Sequence, residues 1–198
     1  GSKSTMDDFK WMKEKGLDSK ILQKKTKGTP ILGICGGYQM LGDQMEDPYG
    51  VESGGELRGL GLLPMTTVFS KKKTTTQCQG RVQEIEGFYS CWSGLDFKGY
   101  EIHMGQSDLG KEVQSLHTNS SQSQGACLEN VAGTYVHGFL DQEEIIQKLV
   151  EALLEKKHLK GEETAFNYED YKEEQFDKLA DALEKALDME KLEEMIFQ

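Results

Sequence analysis

Ile31-Leu32-Gly33-Ile34-Cys35-Gly36-Gly37-Tyr38-Gln39-Met40-Leu41 is the stretch that decides how this chain of 198 residues is read. A short apolar run breaks into a glycine-flanked cysteine and then into a helix-like pattern, which predicts a strand, a sharp turn and a helix with the thiol at the turn. Backbone at the tip of such a turn is strained, and side chains beside the thiol would block a substrate carbonyl. Gly33, Gly36 and Gly37 suit both demands. The free N–H groups at the start of the helix favour a thiolate, so a lowered pKa is expected for Cys35, and the Gly36 N–H is expected to face a developing oxyanion. A single cysteine in an apolar strand is ordinarily packing. Glycines on both sides, with Gln39 one helical turn later, favour a nucleophile.

Outward from the elbow, the pattern is that of an α/β protein. Upstream, Met6, Phe9 and Met12 fall at helical spacing after Thr5 and Asp8, with Thr5 as the expected cap and Gly16 as the stop. A second short helix carries Ile21 and Leu22 behind Asp18 and ends near Gly28, before Thr29-Pro30 hands over to the strand. Helix, strand, elbow, helix is the rhythm of an open, mostly parallel sheet flanked by helices. Downstream, residues 43–58 read as a long loop of the kind that carries function. Residues 60–69 are β-rich, and Pro64 confines part of them to an edge or bulge. Lys71-Lys72-Lys73 reads as an exposed turn, and residues 81–86 alternate like a half-buried antiparallel strand.

Two later blocks carry chemistry. In Gly99-Tyr100-Glu101-Ile102-His103-Met104-Gly105, period-two alternation puts Tyr100, Ile102 and Met104 on one face and Glu101 with His103 on the other. A carboxylate and an imidazole on one face are an acid/base pair, half a metal site or a structural hydrogen bond. Gly133-Thr134-Tyr135-Val136-His137-Gly138 is a strand ending in a histidine beside glycine, placed to reach the elbow. Between them, residues 106–125 form a polar hairpin or loop in which His117 receives no role. Asp141 with Glu144 reads as a capping box for an apolar-striped helix, and after Gly161 further amphipathic helices run from Tyr168 to Leu187 and through Leu192, Met195, Ile196 and Phe197.

Composition sets limits. The hydrophobic share of 36% and charged share of 29% are those of a soluble protein, and no apolar run approaches the roughly 20 residues that cross a bilayer. Cysteines at 35, 78, 91 and 127 form no C-x-x-C pair, so neither a zinc knuckle nor a disulfide framework is indicated and the expected address is the cytoplasm. Residues 139–198, with 18 acidic and 8 basic side chains, account for −10 of the net charge of −11, which argues against a nucleic-acid partner.

Gly33 to Gln39 resembles the G-x-C-x-G-x-Q signature of class I glutamine amidotransferases, in which a cysteine attacks the side-chain amide of glutamine and releases ammonia. Cys-Gly-Gly-Tyr-Gln, the Gly99 to Gly105 block and the Gly133 to Gly138 block are similar to the cobyric and cobyrinic acid amidating branch, the cobyric acid synthase family. The resemblance implies a flavodoxin-like α/β domain over residues 1–158 with an antiparallel β extension, and an acidic helical tail over residues 159–198. It implies Cys35 as nucleophile and His137 as base, Gly36, Gln39, Gly1 and Ser2 at the oxyanion or the glutamine, and Glu101 and His103 facing substrate, with Glu101 as one choice to orient His137. Gly1-Ser2-Lys3-Ser4-Thr5 is similar to the family's Pro-Gly-(Ser/Thr)-Lys-x-Thr loop cut after its proline, which implies leading strands outside this sequence. No metal and no cofactor are implied for this domain; ATP and Mg are expected in an ATP-using synthetase domain that is also absent from it. The implied partners are glutamine and, through that domain, a corrinoid, cobyrinic acid a,c-diamide, whose carboxylates receive the ammonia; no nucleic acid and no membrane are implied. Phe139 occupies the place where many class I enzymes carry a glutamate two residues after the histidine. An amidotransferase subunit acting on peptidoglycan precursors and a non-catalytic module with the same fold stay open as alternatives.

Overall fold

The computed structural model describes residues 2–119, 122–161, 168–188, 191, 192 and 195. The chain divides into two compact units, Gly1–Gly161 and Glu162–Gln198. The second holds the helix Tyr168–Ala186, whose Phe176, Leu179 and Leu183 are exposed; Ile196 and Phe197 lie outside the described residues.

The first unit opens with α1 (Thr5–Glu14) and α2 (Leu17–Thr26). Thr5 does not cap α1 as its type and place predict. Ser4 precedes the helix, and the Thr5 hydroxyl instead donates 3.0 Å to Gln39 Oε1. Met6 and Phe9, the first two members of the helical stripe, are fully buried. The strand β1 (Ile31–Ile34) and the helix α3 (Gly36–Leu41) follow as predicted, with Cys35 between them.

Residues 43–58 are not a loop throughout. They hold β2 (Gln44–Asp47) and β3 (Gly55–Arg58), an antiparallel pair whose polar sequence hides its strands. The turn between them is built on Asp47, which is 1% exposed and accepts from the backbone N–H groups of Val51, Glu52 and Gly54 at 2.8, 2.8 and 2.9 Å. Burial pushes this carboxyl up, but the converging N–H dipoles outweigh that and hold it below its usual range.

β4 (Met65–Val82) and β5 (Asp96–Leu109) form a long antiparallel pair. The three lysines are not a turn between strands but the tip of a bulge inside β4. The register jumps between Phe69 and Thr74, so residues 70–73 stand opposite Met104 alone, and Ser70 Oγ ties the bulge to the Met104 carbonyl at 3.2 Å. Only the first two residues of the 81–86 alternation belong to β4. β6 (His117–Asn119) and β7 (Gln122–Gln124) extend this sheet, whose order is β3-β2-β4-β6-β7 with β5 also on β4.

A second sheet holds β1, β9 (Val131–Thr134) and β8 (Ala126–Leu128), in that order. β1 and β9 are parallel, in register from Ile31 opposite Val131 to Ile34 opposite Thr134. Parallel pairing among the described residues is confined to β1/β9 and β2/β4, so the antiparallel extension is larger than the strand–helix rhythm predicts. The helix α4 (Glu143–Lys156) starts after Gln142, with no Asp141 capping box. It buries Ile145, whose carbonyl accepts from Trp92 Nε1 at 3.0 Å.

His117 is fully buried, tilted against Phe97, with Nε2 at 2.7 Å from Thr134 Oγ1 and Nδ1 buried without a hydrogen-bond partner among the described residues. Burial pushes its pKa from 6.5 down to about 4. A group whose folded pKa is depressed in this way, and which is neutral when folded, contributes its full stability above pH 6.5. That contribution is lost as pH falls toward 4, about 3 kcal/mol over the whole window. Thermal melts from pH 7 to pH 4 should therefore fall steeply in the parent and less steeply in His117→Gln. Parallel curves would show that another group drives the acid loss.

Candidate active site

Cys35 has φ 54° and ψ −113°, the conformation of the first central residue of a type II′ turn, which a non-glycine residue adopts only under constraint. The constraint is visible. The Cys35 N–H donates 2.9 Å to the Thr134 carbonyl, continuing the β1/β9 ladder, while the Cys35 carbonyl already accepts from Gln39 N–H at 3.1 Å in the first turn of α3. The chain must pass from strand to helix in one residue. Gly33 supplies the room, because a Cβ there would stand 2.7 Å from Leu41 Cδ1 and 2.8 Å from the Gly37 backbone.

Parallel register brings in the histidine. Ile34 lies opposite Thr134, so Cys35 and His137 leave the same ends of neighbouring strands. β5 crosses this end. Tyr100 and His137 form an antiparallel bridge, with Tyr100 N–H donating 3.1 Å to the His137 carbonyl and His137 N–H donating 2.8 Å to the Tyr100 carbonyl. Two residues on, the Cys35 thiol donates to the Ile102 carbonyl at 3.7 Å. Gly99 makes the bridge possible, since a Cβ there would meet the His137 carbonyl oxygen at 2.2 Å.

The Cys35 thiol is pushed up, chiefly by burial, with the Gly36 N–H pulling the other way. This corrects the expected lowering. α3 has six residues, and its N-terminal dipole does not outweigh the loss of water around the sulfur. His137 is pushed down, again by burial first. A neutral thiol beside a neutral imidazole is the resting state these shifts favour. His137 Nε2 is buried and has no hydrogen-bond partner among the described residues.

The remaining predicted residues divide between the site and its support. Gly36 lies against the opening turn, where a Cβ would stand 3.1 Å from Thr5 Oγ1 and 3.2 Å from Ser2 Cβ. Ser2 is thus next to the elbow, with its hydroxyl bonded to the Asp8 carboxylate, and Gly1 lies outside the described residues. Gln39 is 2% exposed and its amide is used within the fold, accepting from Thr5 and donating 3.3 Å to the Tyr135 hydroxyl. From there the chain runs to Ser107 at 2.7 Å and Thr67 at 2.7 Å, tying α1, α3, β5 and β4 together behind the elbow.

Glu101 and His103 face inward, opposite to the exposed Tyr100 and Ile102. Glu101 Oε2 lies 3.2 Å from His103 Nε2, His103 Nδ1 lies 2.7 Å from the Gly105 carbonyl, and the imidazole stacks on Tyr135 at 3.8 Å. The structure thus gives the Glu101 carboxylate to His103, on the face of β5 away from the ring that meets His137. Both residues line a polar cavity of about 550 Å³ with Cys78, Ser107 and Tyr135. Alternation alone separates the two faces but does not say which one is buried.

Glu52 belongs to the 43–58 stretch whose sequence predicts a functional loop. Its Oε2 accepts from Met6 N–H at 2.9 Å, and its charge reaches Cys35, where it raises the thiol pKa slightly. Among the described residues no group of three or more His, Cys, Asp or Glu side chains is arranged to hold a metal ion. No described helix is long and apolar enough to cross a membrane.

Solved structures with the same fold include a crystal structure of a glutamine amidotransferase (TM-score 0.50, 15% identity, covering 75% of this chain and 74% of that one). PurLQS from Thermotoga maritima is another (TM-score 0.52, 16% identity, 69% and 68%). The fold, with a thiol elbow and a histidine on the neighbouring strand, is that of a glutamine amidotransferase domain. More particularly, the chain belongs to the CobB/CobQ-like glutamine amidotransferase domain family, whose model matches residues 1–145. Curated relatives include cobyric acid synthases of Ruminiclostridium cellulolyticum (47% identity, 99% of this chain and 40% of that protein) and Lachnoclostridium phytofermentans (44%, 97% and 40%). The Citrobacter koseri enzyme is 42% identical over 97% of this chain and 39% of its own length. The chain therefore spans about two fifths of the length of the curated relatives it matches.

Proposed function

We propose that this chain is the glutamine-hydrolysing part of a cobyric acid synthase and that Cys35 and His137 perform the hydrolysis. The observation that carries the reading is the strained elbow at Cys35, held by the parallel register that delivers His137 to the same strand end. Cys35 Sγ attacks the side-chain carbonyl carbon of glutamine as His137 takes the thiol proton, and the π electron pair moves onto oxygen, which the Gly36 N–H stabilises. His137 returns the proton to the amide nitrogen, the C–N bond breaks, and ammonia leaves a thioester on Cys35. Water, deprotonated by His137, then attacks the thioester, the C–S bond breaks and glutamate departs. A histidine with a depressed pKa is neutral near pH 7, as a base must be. The opening turn at Ser2 lies on the oxyanion side in this reading, supported by the contact of Ser2 with the Gly36 position.

The acceptor comes from the relatives' name. Ammonia released here amidates carboxylates of a corrinoid such as cobyrinic acid a,c-diamide. In this reading ATP and Mg act outside this chain, which spans about two fifths of the relatives' length. Four unpaired cysteines fit a reducing compartment, the cytoplasm.

The test is intact mass with peptide mapping after exposure to a glutamine analogue bearing a diazoketone, with Cys35→Ser as control. A single adduct on Cys35 is expected. No adduct on this chain or on a full-length relative carrying it would overturn the reading.

A further inference from the structure

The base in this site lacks the usual orienter. The residue two positions after His137 is Phe139, which is fully buried against Trp92 and Phe97 and offers no acceptor. The His137 imidazole makes no side-chain hydrogen bond with the described residues, and its Nε2 is buried. An imidazole so placed is free to turn about χ1 and χ2 unless something other than a hydrogen bond holds it. What it does contact is the ring of Tyr100, 5.1 Å away between centroids and within 10° of parallel.

We propose that Tyr100 is the positioning residue for His137, its ring and its backbone together doing what a hydrogen-bonded carboxylate does elsewhere. The inference rests on the reading of His137 as the base. Three observations carry it. The two residues exchange both backbone hydrogen bonds, at 3.1 and 2.8 Å, which fixes the Cα of each against the other and sets their side chains on one face. The stack then restricts the ring plane, because turning the imidazole by 90° would give up the ring-to-ring contact. Finally, Tyr100 is 51% exposed, unlike the other aromatic side chains of this unit that touch the histidines, Phe97, Phe139 and Tyr135, which are all buried. Burial of its own surface does not account for its position.

A tyrosine face also interacts better with imidazolium than with imidazole, so the stack favours the protonated form that exists while the thioester forms. Among the described residues, His103, on the far face of β5, also acts on His137 and opposes that protonation, while Cys35 lies at the end of the neighbouring β1.

Two variants of the 198-residue chain separate the proposal from a structural role: Tyr100→Phe keeps the ring and Tyr100→Leu removes it. The rate of Cys35 labelling by the diazoketone analogue is measured against pH, and the His137 imidazole is titrated by NMR. Tyr100→Phe should label within about 3-fold of the parent, and Tyr100→Leu about 10- to 100-fold more slowly, part of what a general base contributes. The His137 titration should move to lower pH in Tyr100→Leu alone. Should Tyr100→Leu melt early, Tyr100→Trp, which keeps a stacking face, carries the same test and is expected to label like the parent. Tyr100→Leu with the parent's rate and an unmoved His137 titration would overturn the proposal while His137→Asn stays unreactive. If His137→Asn also labels at the parent's rate, the reading of His137 as base falls with it.

Discussion

Cys35→Gly should melt at a higher temperature than the parent and lose glutamine hydrolysis by at least about 10⁴-fold. The two effects have one origin. At φ 54° and ψ −113° the Cys35 Cβ crowds its own backbone, at a cost of about 1–3 kcal/mol, and glycine occupies this region freely. The thiol returns little to the fold: among the described residues it is held by the Gly36 N–H and by the long contact to the Ile102 carbonyl at 3.7 Å. Removing the side chain therefore releases strain and deletes the nucleophile together. Cys35→Ala, which keeps the Cβ, should be equally inactive without the gain in stability, and the difference between the two melts isolates the strain. Equal melting temperatures for the glycine and alanine variants would mean that the elbow is not strained in solution. Residual hydrolysis above about one part in 10⁴ would mean that the sulfur is not the nucleophile.

Gly99→Ala should cost about 2–4 kcal/mol of stability and most of the activity, although residue 99 touches neither thiol nor substrate. The new Cβ would lie 2.2 Å from the His137 carbonyl oxygen and 2.7 Å from Val136 Cγ1. A backbone oxygen cannot swing aside as a side chain can, so β5 must withdraw from His137. The bridge of two hydrogen bonds opens, and each is worth about 1 kcal/mol net, more if its groups stay buried and unpaired. The stack of Tyr100 on His137 is lost in the same movement, so labelling of Cys35 should slow as it does in Tyr100→Leu. Gly37→Ala is the control for stability, since a Cβ at that position meets nothing within 4 Å. A Gly99→Ala protein with parent-like melting and labelling would show that the close approach of β5 to His137 is not needed.

Cys35 between β1 and α3 was legible because backbone chemistry there is local: an apolar run, glycines around a polar atom and a helical pattern within eleven residues. His137 was legible as a strand-end histidine beside glycine. The strands β2 and β3 were not, because their pairing is polar and their turn rests on one buried carboxylate, Asp47, a long-range fact about three N–H groups. The lysine bulge read as a turn because a charge run looks the same in either place, and only the register of β4 against β5 distinguishes them. Gln39 and Glu101 look like site residues in any one-dimensional reading. Burial gives the first to Thr5 and Tyr135 and the second to His103.

What the amino-acid sequence by itself determined is the set of candidates for the chemistry: a cysteine at a glycine-lined elbow, and a histidine 102 positions later at another strand end, the proposed nucleophile and base. Those are properties of residue type and near neighbours. The tertiary structure alone decided which groups lie together. The β1/β9 register brings Cys35 and His137 to one end, β5 lays Tyr100 on the imidazole, and burial sets the resting protonation, raising the thiol against the pull of its helix and lowering the histidine. Desolvation and pairing depend on what the whole chain excludes from water, and no short stretch of sequence contains that information.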